Sequence, residues 1–561
     1  MKRLRWQLLI VILALAAIVV LLIGQQQPVT PQVFEPEPVS GGIYTEGLIG
    51  TSSRLNPVLD TYNPVDQDVD RLLYSSLIRF DDRGLAQAEL AESWGVSRDG
   101  KIYNFSLRTD AFWHDGQPVV SGDILFTVDL LRSPDLPIPE DIRSVWSEVE
   151  VEALDDYTLQ FRLPEPFAPF LDYMAFGVLP AHLFEGVDPA GIVDDPFNLS
   201  PVGSGPYRFE NFIVEDGVIT GVVLRAFDQF YGGRPFIDQF IFRYFSEDTA
   251  ALEAYRAGEI QGIGLITPDS LPEALKEENL NLYTSRLPEL SMIFLNLDNS
   301  KVPFFQDTNI RKALLMGLNR QWMINQFLGG QGAIADGPVF PNTWAFYEGI
   351  SRVEFNPEKA IQILKEAGYT IPASGGSVRA NENNEFLSFT LVYPEAENYG
   401  PIAESIRDQW ATLGVGVTLQ SVSYDTLISS FLNTRLYDAA LVDINLSHSP
   451  DPDPYPFWHQ TQATGGQNYS LWNDRQASEY LEQARIIVDP DERTRLYRNF
   501  QVRWSNELPA LPLFYPMYTY GVDAEVQGVH LGPLFTPSDR FANVTDWFLF
   551  SERVVGGESG Q

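Results

Sequence analysis

Between Leu387 and Leu419 the hydrophobic period changes from two to 3.6 and back to two. Leu387, Phe389 and Leu391 alternate with polar neighbours, as a half-buried strand requires. A helical pattern follows from about Pro401 to Leu413, and Gly414 terminates it. Val415, Val417 and Leu419 then resume the strand period. A strand, a crossover helix and a strand form a βαβ unit, which favours a parallel pair and a right-handed connection.

Other segments fill in the picture. Ile43 to Leu48 is predicted as a first strand. Asp66 to Ser76 is predicted as a helix carrying Val69, Leu72, Leu73 and Leu77 at helical spacing. "YNFSLRT" alternates Tyr103, Phe105 and Leu107, and "VEVEALDDYTLQFRL" has the pattern of a hairpin turning at Asp155-Asp156. Ser121 is expected to cap a helix that buries Ile124, Val128 and Leu131. "FNPEKAIQILKEAGY" has Asn356 as cap, Pro357 in the first turn and Gly368 as terminator. Helices are also expected over 476–488 and 491–507. The fold class is therefore α/β, with a β-richer early insert.

The N-terminus fixes the compartment. Lys2, Arg3 and Arg5 precede an unbroken apolar run of sixteen residues, Leu8 to Ile23. At 1.5 Å per residue the run reaches roughly 24 Å, and Trp6 and Gln7 bring it near the hydrocarbon thickness. The basic flank keeps the N-terminus inside, so the rest lies outside the cytoplasm. The small-residue pattern Ala14-Leu15-Ala16 sits within the run rather than after it, which favours an uncleaved anchor over a signal peptide. Pro28, Pro31, Pro36 and Pro38 then mark a semi-extended tether. The chain contains no cysteine, which excludes disulfides, thiolate metal sites and lipid attachment at cysteine. With 75 acidic against 38 basic residues, a formal charge of −37, it would repel nucleic acid.

Enzyme motifs are missing. The sequence holds no G-x-x-x-x-G-K-[ST], H-E-x-x-H or G-x-S-x-G. "GSGP" at Gly203 to Pro206 is expected to be a tight turn with positive φ. His114 is expected to pack or cap, and His182 and His530 have no local partner. "HSPDPDPYPFWH", from His448 to His459, places two of the five histidines beside Asp451 and Asp453. Its spacing is not that of a calcium loop. Four prolines stiffen it, and Tyr455, Phe457 and Trp458 give it the composition of a pocket wall rather than a metal site.

Six segments in order resemble the family 5 extracytoplasmic solute-binding proteins, the peptide and nickel receptors of ABC importers. They are "LAESWGVSRDGKIYNFSLRTDAFWHDGQPVVSGDILFTVDLL" from Leu90, "VGSGPYRF" from Val202, "YGGRPFIDQFIFRYFSEDTAALEAYRAGEI" from Tyr231, "IFLNLDNSKVPFFQDTNIRKALLMGLNRQWMI" from Ile293, and the segments 356–369 and 403–422. The resemblance implies a two-lobed periplasmic-binding-protein-like clamp, type II, with an extra β-rich domain. The N-terminal residues add a cytoplasmic tail at 1–7, a transmembrane anchor or signal segment at 8–24 and a Pro-rich linker at 25–41. Lobe 1 would comprise 42–68, 203–287 and 513–552, with the β-rich domain at 69–202, lobe 2 at 288–512 and a tail at 553–561. The clamp would close on a peptide or peptide-like solute without chemistry or cofactor, and present it to permease subunits served by separate ATPase subunits. The receptor would act as a monomer held to the membrane by its N-terminal segment. A metal-chelate receptor and an extracellular hydrolase are the alternatives. In such receptors an aspartate in the loop after the strand near Leu441 anchors the ligand amine, and the matching position here is His448. Histidine there offers no opposite charge to an amine, so N-terminally blocked or non-peptide ligands are expected to bind at least as well as free-amine peptides unless Asp451 or Asp443 substitutes; His448, Asp451, Tyr455, Trp458, Asn445 and Asp443 are the candidate ligand contacts.

Overall fold

A computed structural model describes Trp6 and residues 11–17, 34–396, 398–447 and 450–555. No helix among these residues is long and apolar enough to cross a membrane. Most of the apolar N-terminal run, and His448 with it, lies outside the described residues.

The framework is one twelve-stranded sheet. Its strands are β1 (Ile43–Ile49), β2 (Tyr207–Glu215), β3 (Val218–Ala226), β4 (Gln239–Phe245), β5 (Gly262–Ile263), β6 (Leu280–Arg286), β7 (Glu289–Leu295), β8 (Gly332–Ile334), β9 (Ser388–Pro394), β10 (Gly416–Val422), β11 (Ala439–Asn445) and β12 (Ala510–Asp523). The spatial order is β10-β9-β11-β7-β12-β5-β1-β4-β3-β2, and β6 and β8 also pair with β12. The predicted βαβ unit is present. β9 and β10 pair in parallel, Leu391 opposite Leu419, joined by the helix Tyr399–Thr412.

β12 joins the two halves. Its C-terminal part pairs with β6, Arg286 opposite Met517, and its N-terminal part pairs with β7, Phe294 opposite Ala510. The ladder is interrupted at Pro288 and Pro516, which have no N–H to donate. β8 pairs with β12 over the same stretch, Gly332 opposite Pro516, and these short ladders link the larger bodies. Each body has its own apolar core. One runs from Leu290 to Tyr515 and includes Trp410 and Trp504. The other gathers Tyr44, Val69, Trp113, Phe240 and Trp547. An antiparallel sheet of Ala91–Val96, Ile102–Leu107, Thr158–Arg162 and Glu150–Asp155 extends the second core through Tyr103, Phe105, Leu159 and Phe161. The architecture is the two-lobed α/β clamp that the resemblance implied.

Most predicted elements appear within a few residues. The helix Pro357–Glu366 is capped by Asn356, whose side chain accepts from Lys359 N–H at 2.9 Å. The helix expected over 66–76 is Pro64–Leu73, capped by Asn63. Two local expectations are corrected. Ser121 is the first helical residue rather than the cap. Its hydroxyl donates to Asp155 O at 2.6 Å, and Asp123 takes the Val120 N–H at 2.9 Å instead. Gly203 and Gly205 do not have positive φ. They are glycine because a Cβ would stand 1.8 Å from Leu73 O at the first and 2.5 Å from Leu72 O at the second. His114 stitches this approach together, accepting from Gly203 N–H at 3.1 Å with its other nitrogen 3.1 Å from Gly205 O. Burial lowers its pKa to about 4.

Candidate functional site

Strand order locates the site. From β9 the chain crosses to β10 on one side, then returns to β11 on the other side of β9. Both neighbours are parallel to β9. Loops leaving the carboxyl ends of β9 and β11 therefore part and open a crevice, the usual ligand position in an open α/β sheet. β7 runs antiparallel to β11, which brings Glu289 opposite Asn445 and Ser291 opposite Asp443.

Two carboxylates meet there without a cation. Asp443 accepts hydrogen bonds from the Ser291 hydroxyl and, at 2.6 Å, from the Tyr399 hydroxyl at the start of the crossover helix. Asn445 donates to Glu289 Oε1 at 3.3 Å. Among the described residues neither carboxylate is in an ion pair. The Glu289 carboxyl is held above its usual pKa, first by burial and then by the Asp443 charge. The Tyr399 hydroxyl is raised by burial and by the same carboxylate. Two half-buried acids with no internal counter-charge form a negative well suited to an ammonium group.

The other candidate residues occupy a different setting. Asp451 is buried and pairs with Arg493 at 2.5 Å, and it accepts from the Tyr497 hydroxyl at 3.0 Å. Asp453 holds Arg485 through contacts of 2.6 to 3.0 Å. The Arg485 guanidinium lies 4.0 Å above the Tyr455 ring. Trp458 is 2% exposed and packs edge-on against Trp504 at 5.2 Å. His459 is buried between Thr461 Oγ1 at 2.7 Å and Glu482 Oε1 at 2.9 Å, and stacks on Tyr455. Among the described residues no three His, Asp or Glu side chains are placed to hold a metal ion. His182, without a partner near in sequence, finds Asp115 at 2.7 Å, and His530 lies 3.8 Å from Asp82.

The loop also touches the opposite half of the molecule. The Asp451 N–H donates to Asp172 Oδ2 at 2.9 Å, and the Trp344 N–H donates to Arg83 O at 2.9 Å. Asp172 keeps some surface in water, yet burial by its neighbours and then the Asp451 charge push its carboxyl well above the ordinary range. The cluster therefore ties Asp451 and Asp453 to Arg493 and Arg485 while Asp451 also meets Asp172.

Sequence reasoning missed Glu289, Ser291 and Tyr399. They reach the crevice through strand register and a crossover, and no local motif marks them.

A sheet shared by two bodies, a core on either side and a polar crevice at a switch point define a solute-binding clamp. Residues 86–467 match the family model described as bacterial extracellular solute-binding proteins, family 5 middle. The chain belongs to that family of binding proteins, and with it to the extracytoplasmic side of the membrane. It is 27% identical over 526 residues to the oligopeptide-binding protein AppA of Bacillus subtilis, covering 91% of this chain and 92% of that one. It is 25% identical over 528 residues to the dipeptide-binding protein of Escherichia coli, covering 88% and 93%. The solved structure of Bacillus subtilis AppA in complex with a nonapeptide superposes with a TM-score of 0.66 at 26% identity, covering 92% of this chain and all of that one.

Proposed function

We propose that this chain is the receptor of an ABC importer for a peptide or peptide-like solute bearing a free amine, which it releases unchanged to its permease. The observation that carries the reading is the cation-free pair Asp443 and Glu289, steadied by Tyr399, at the carboxyl ends of β9 and β11. A ligand ammonium would supply the missing charge, and a charge-assisted bond is roughly twice as strong as a neutral one. Similarity to an oligopeptide-binding and a dipeptide-binding protein supports the solute class. Asp443 and Asn445 are the ligand contacts in this reading, and His448, three residues further along the sequence, stays a candidate from the resemblance alone. Asp451, Tyr455 and Trp458 hold that loop in place.

In the same reading, 42–68, 203–287 and 513–552 form lobe 1, the 69–202 domain rides on it, and 288–512 form lobe 2. The apolar N-terminal segment keeps a single copy of the receptor at the outer membrane face. Mass spectrometry of ligand released from purified protein tests the solute class. Calorimetry with Ala-Ala-Ala and its N-acetylated form tests the anchor. Equal affinity for the two would overturn the amine anchor, and recovery of a cleaved peptide would overturn the receptor reading.

A further inference from the structure

Three aspartates stand on the helix Pro64–Leu73, and each has different surroundings. Asp66 accepts from the Ser52 and Ser53 hydroxyls at 2.6 and 2.7 Å and from the Arg54 N–H at 2.9 Å. Asp68 is held by both terminal nitrogens of Arg540, at 2.6 and 2.7 Å. Asp70 has neither kind of partner. It is 3% exposed, and both its carboxylate oxygens are buried without a hydrogen bond. No other buried carboxylate among the described residues is left in that condition.

The neighbours of Asp70 add to the cost of a charge there. Asp60, on the preceding loop, and Asp66 both act on it as like charges. The Asn56 N–H is the single opposing influence, and it falls short of a hydrogen bond. Burial first, then these like charges, push the Asp70 carboxyl well above the ordinary range. Asp60 keeps some surface in water, yet burial by its neighbours and then the Asp66 charge push its carboxyl up too. Two tyrosines complete the surroundings. The Tyr74 hydroxyl donates to Leu55 O at 3.0 Å, and the Tyr244 hydroxyl, on β4, is buried without a partner. Burial and the nearby aspartates raise both hydroxyls, so neither brings a charge of its own. No lysine, arginine or histidine acts on Asp60 or Asp70. Arg71 faces Asp539 at 3.9 Å, and Arg54 donates to Val193 O at 2.7 Å. A buried carboxylate without a cation or donor gives up its charge rather than bear the desolvation cost.

We propose that the Asp60–Asp70 pair holds one proton in the folded protein, chiefly on Asp70, and that this proton fastens the loop 51–63 to the helix Pro64–Leu73. The occupant is a proton because no three His, Asp or Glu side chains among the described residues converge for a metal ion. The fastening lies where the chain leaves the large sheet and later returns to it. Leu73 O, at the helix end, accepts from the Gly205 N–H at 2.8 Å, and Asn56 Nδ2 donates to Asn198 Oδ1 at 2.9 Å. Loop and helix thus grip the returning segment together. The stability contributed by the proton is complete below the ordinary aspartate pKa of about 3.9 and is lost as pH rises through the raised folded value.

The test uses the full chain and its Asp70→Asn variant. Infrared spectra at neutral pH read the proton itself. The protonated-carboxyl band of the natural protein is expected to exceed that of the variant by the share of one group. Hydrogen exchange of residues 51–74, corrected for the pH dependence of the chemical exchange step, reads the fastening. Between about pH 5 and 9, protection in the natural protein should fall by up to about tenfold per pH unit, the limit for one proton, and should stay nearly level in Asp70→Asn. If Asp70→Asn does not fold, Asp60→Asn removes one like charge and keeps Asp70. It should shorten the pH range over which protection falls and leave more of it at the alkaline end. Carboxyl bands of equal size, or protection that falls equally with pH in natural and variant protein, overturn the proposal. Protection restored by calcium chloride at constant ionic strength, in the natural protein and not in the variant, overturns it as well and puts a metal ion in place of the proton.

Discussion

Asp443 in the crevice lies within a dozen residues of the loop acids in sequence, yet the crevice acids and the loop acids have opposite circumstances. Asp451 and Asp453 each have an arginine of the same lobe, Arg493 and Arg485, and are closed in by Tyr497 and Tyr455. Asp443 and Glu289 have hydroxyl and amide partners but no cation. A carboxylate that already owns its counter-charge holds structure together. One that lacks it, at a crevice where water and solute can enter, is free to recruit a charge from outside.

The largest effect is expected where the pair is most buried. Asp451→Ala leaves Arg493 without its partner in a site where both side chains are under a tenth exposed. Loss of one member of a buried pair costs about 3–5 kcal/mol, so the melting temperature should fall sharply in a calorimetric scan. The double variant Asp451→Leu with Arg493→Met should recover most of that loss, because no uncompensated charge remains. Asp443→Asn should behave in the opposite way. Stability should hardly change, while affinity for a free-amine tripeptide should drop by about 1.5–3 kcal/mol, the range for hydrogen bonds to charged groups. If Asp443→Asn melts early and binds normally, the two regions have been assigned the wrong way round.

Why only part of this was legible follows from which interactions are local. Helix caps such as Asn356 and the βαβ unit are written in neighbouring residues, and their pattern survives folding. Asp443 and Asn445 came into view only through the family resemblance. Glu289 meets Asn445 because β7 and β11 pair in one register, 156 residues apart. Tyr399 reaches Asp443 only because the crossover helix begins at the switch point. The loop was the reverse case. His448 to His459 looks like a site because its composition is rich in polar and aromatic groups. In the fold Asp451 and Asp453 meet arginines 42 and 32 residues further along, on the helices Pro490–Glu507 and Arg475–Ile486. Even the glycines of "GSGP" answer to a distant backbone, Leu72 and Leu73, and not to a turn of their own.

Acid should separate the two regions by sign. The Glu289 carboxyl is raised, so it is neutralised at a higher pH than an ordinary glutamate. Affinity for a free-amine ligand should fall as pH drops through that raised value, and Glu289→Gln should flatten the profile. The Asp172 carboxyl is also raised, first by burial and then by the charges of Asp451 and Asp453, against which the Asp451 N–H and the Arg493 charge act. Here the proton belongs to the contact. Its contribution is complete below the ordinary aspartate pKa of about 3.9 and is lost as pH rises through the raised value. Contact between the lobes, followed by fluorescence transfer between labels at positions 83 and 344, should therefore strengthen on acidification, and Asp172→Asn should remove the dependence.

The smallest effect tests the crevice most finely. Tyr399→Phe removes one hydroxyl that donates to Asp443 at 2.6 Å and leaves the ring in place. A single hydrogen bond contributes about 0.5–1.5 kcal/mol, so affinity should change by only a few-fold. The direction carries the information. If the hydroxyl only orients Asp443 for an incoming ammonium, its loss weakens binding of the free-amine peptide and leaves the acetylated one untouched. If instead it competes with the ligand for the carboxylate, its loss strengthens free-amine binding by a similar factor. An equal change for both peptides would mean that Tyr399 acts through packing of the crossover helix, and the crevice would then rest on Asp443 and Glu289 alone.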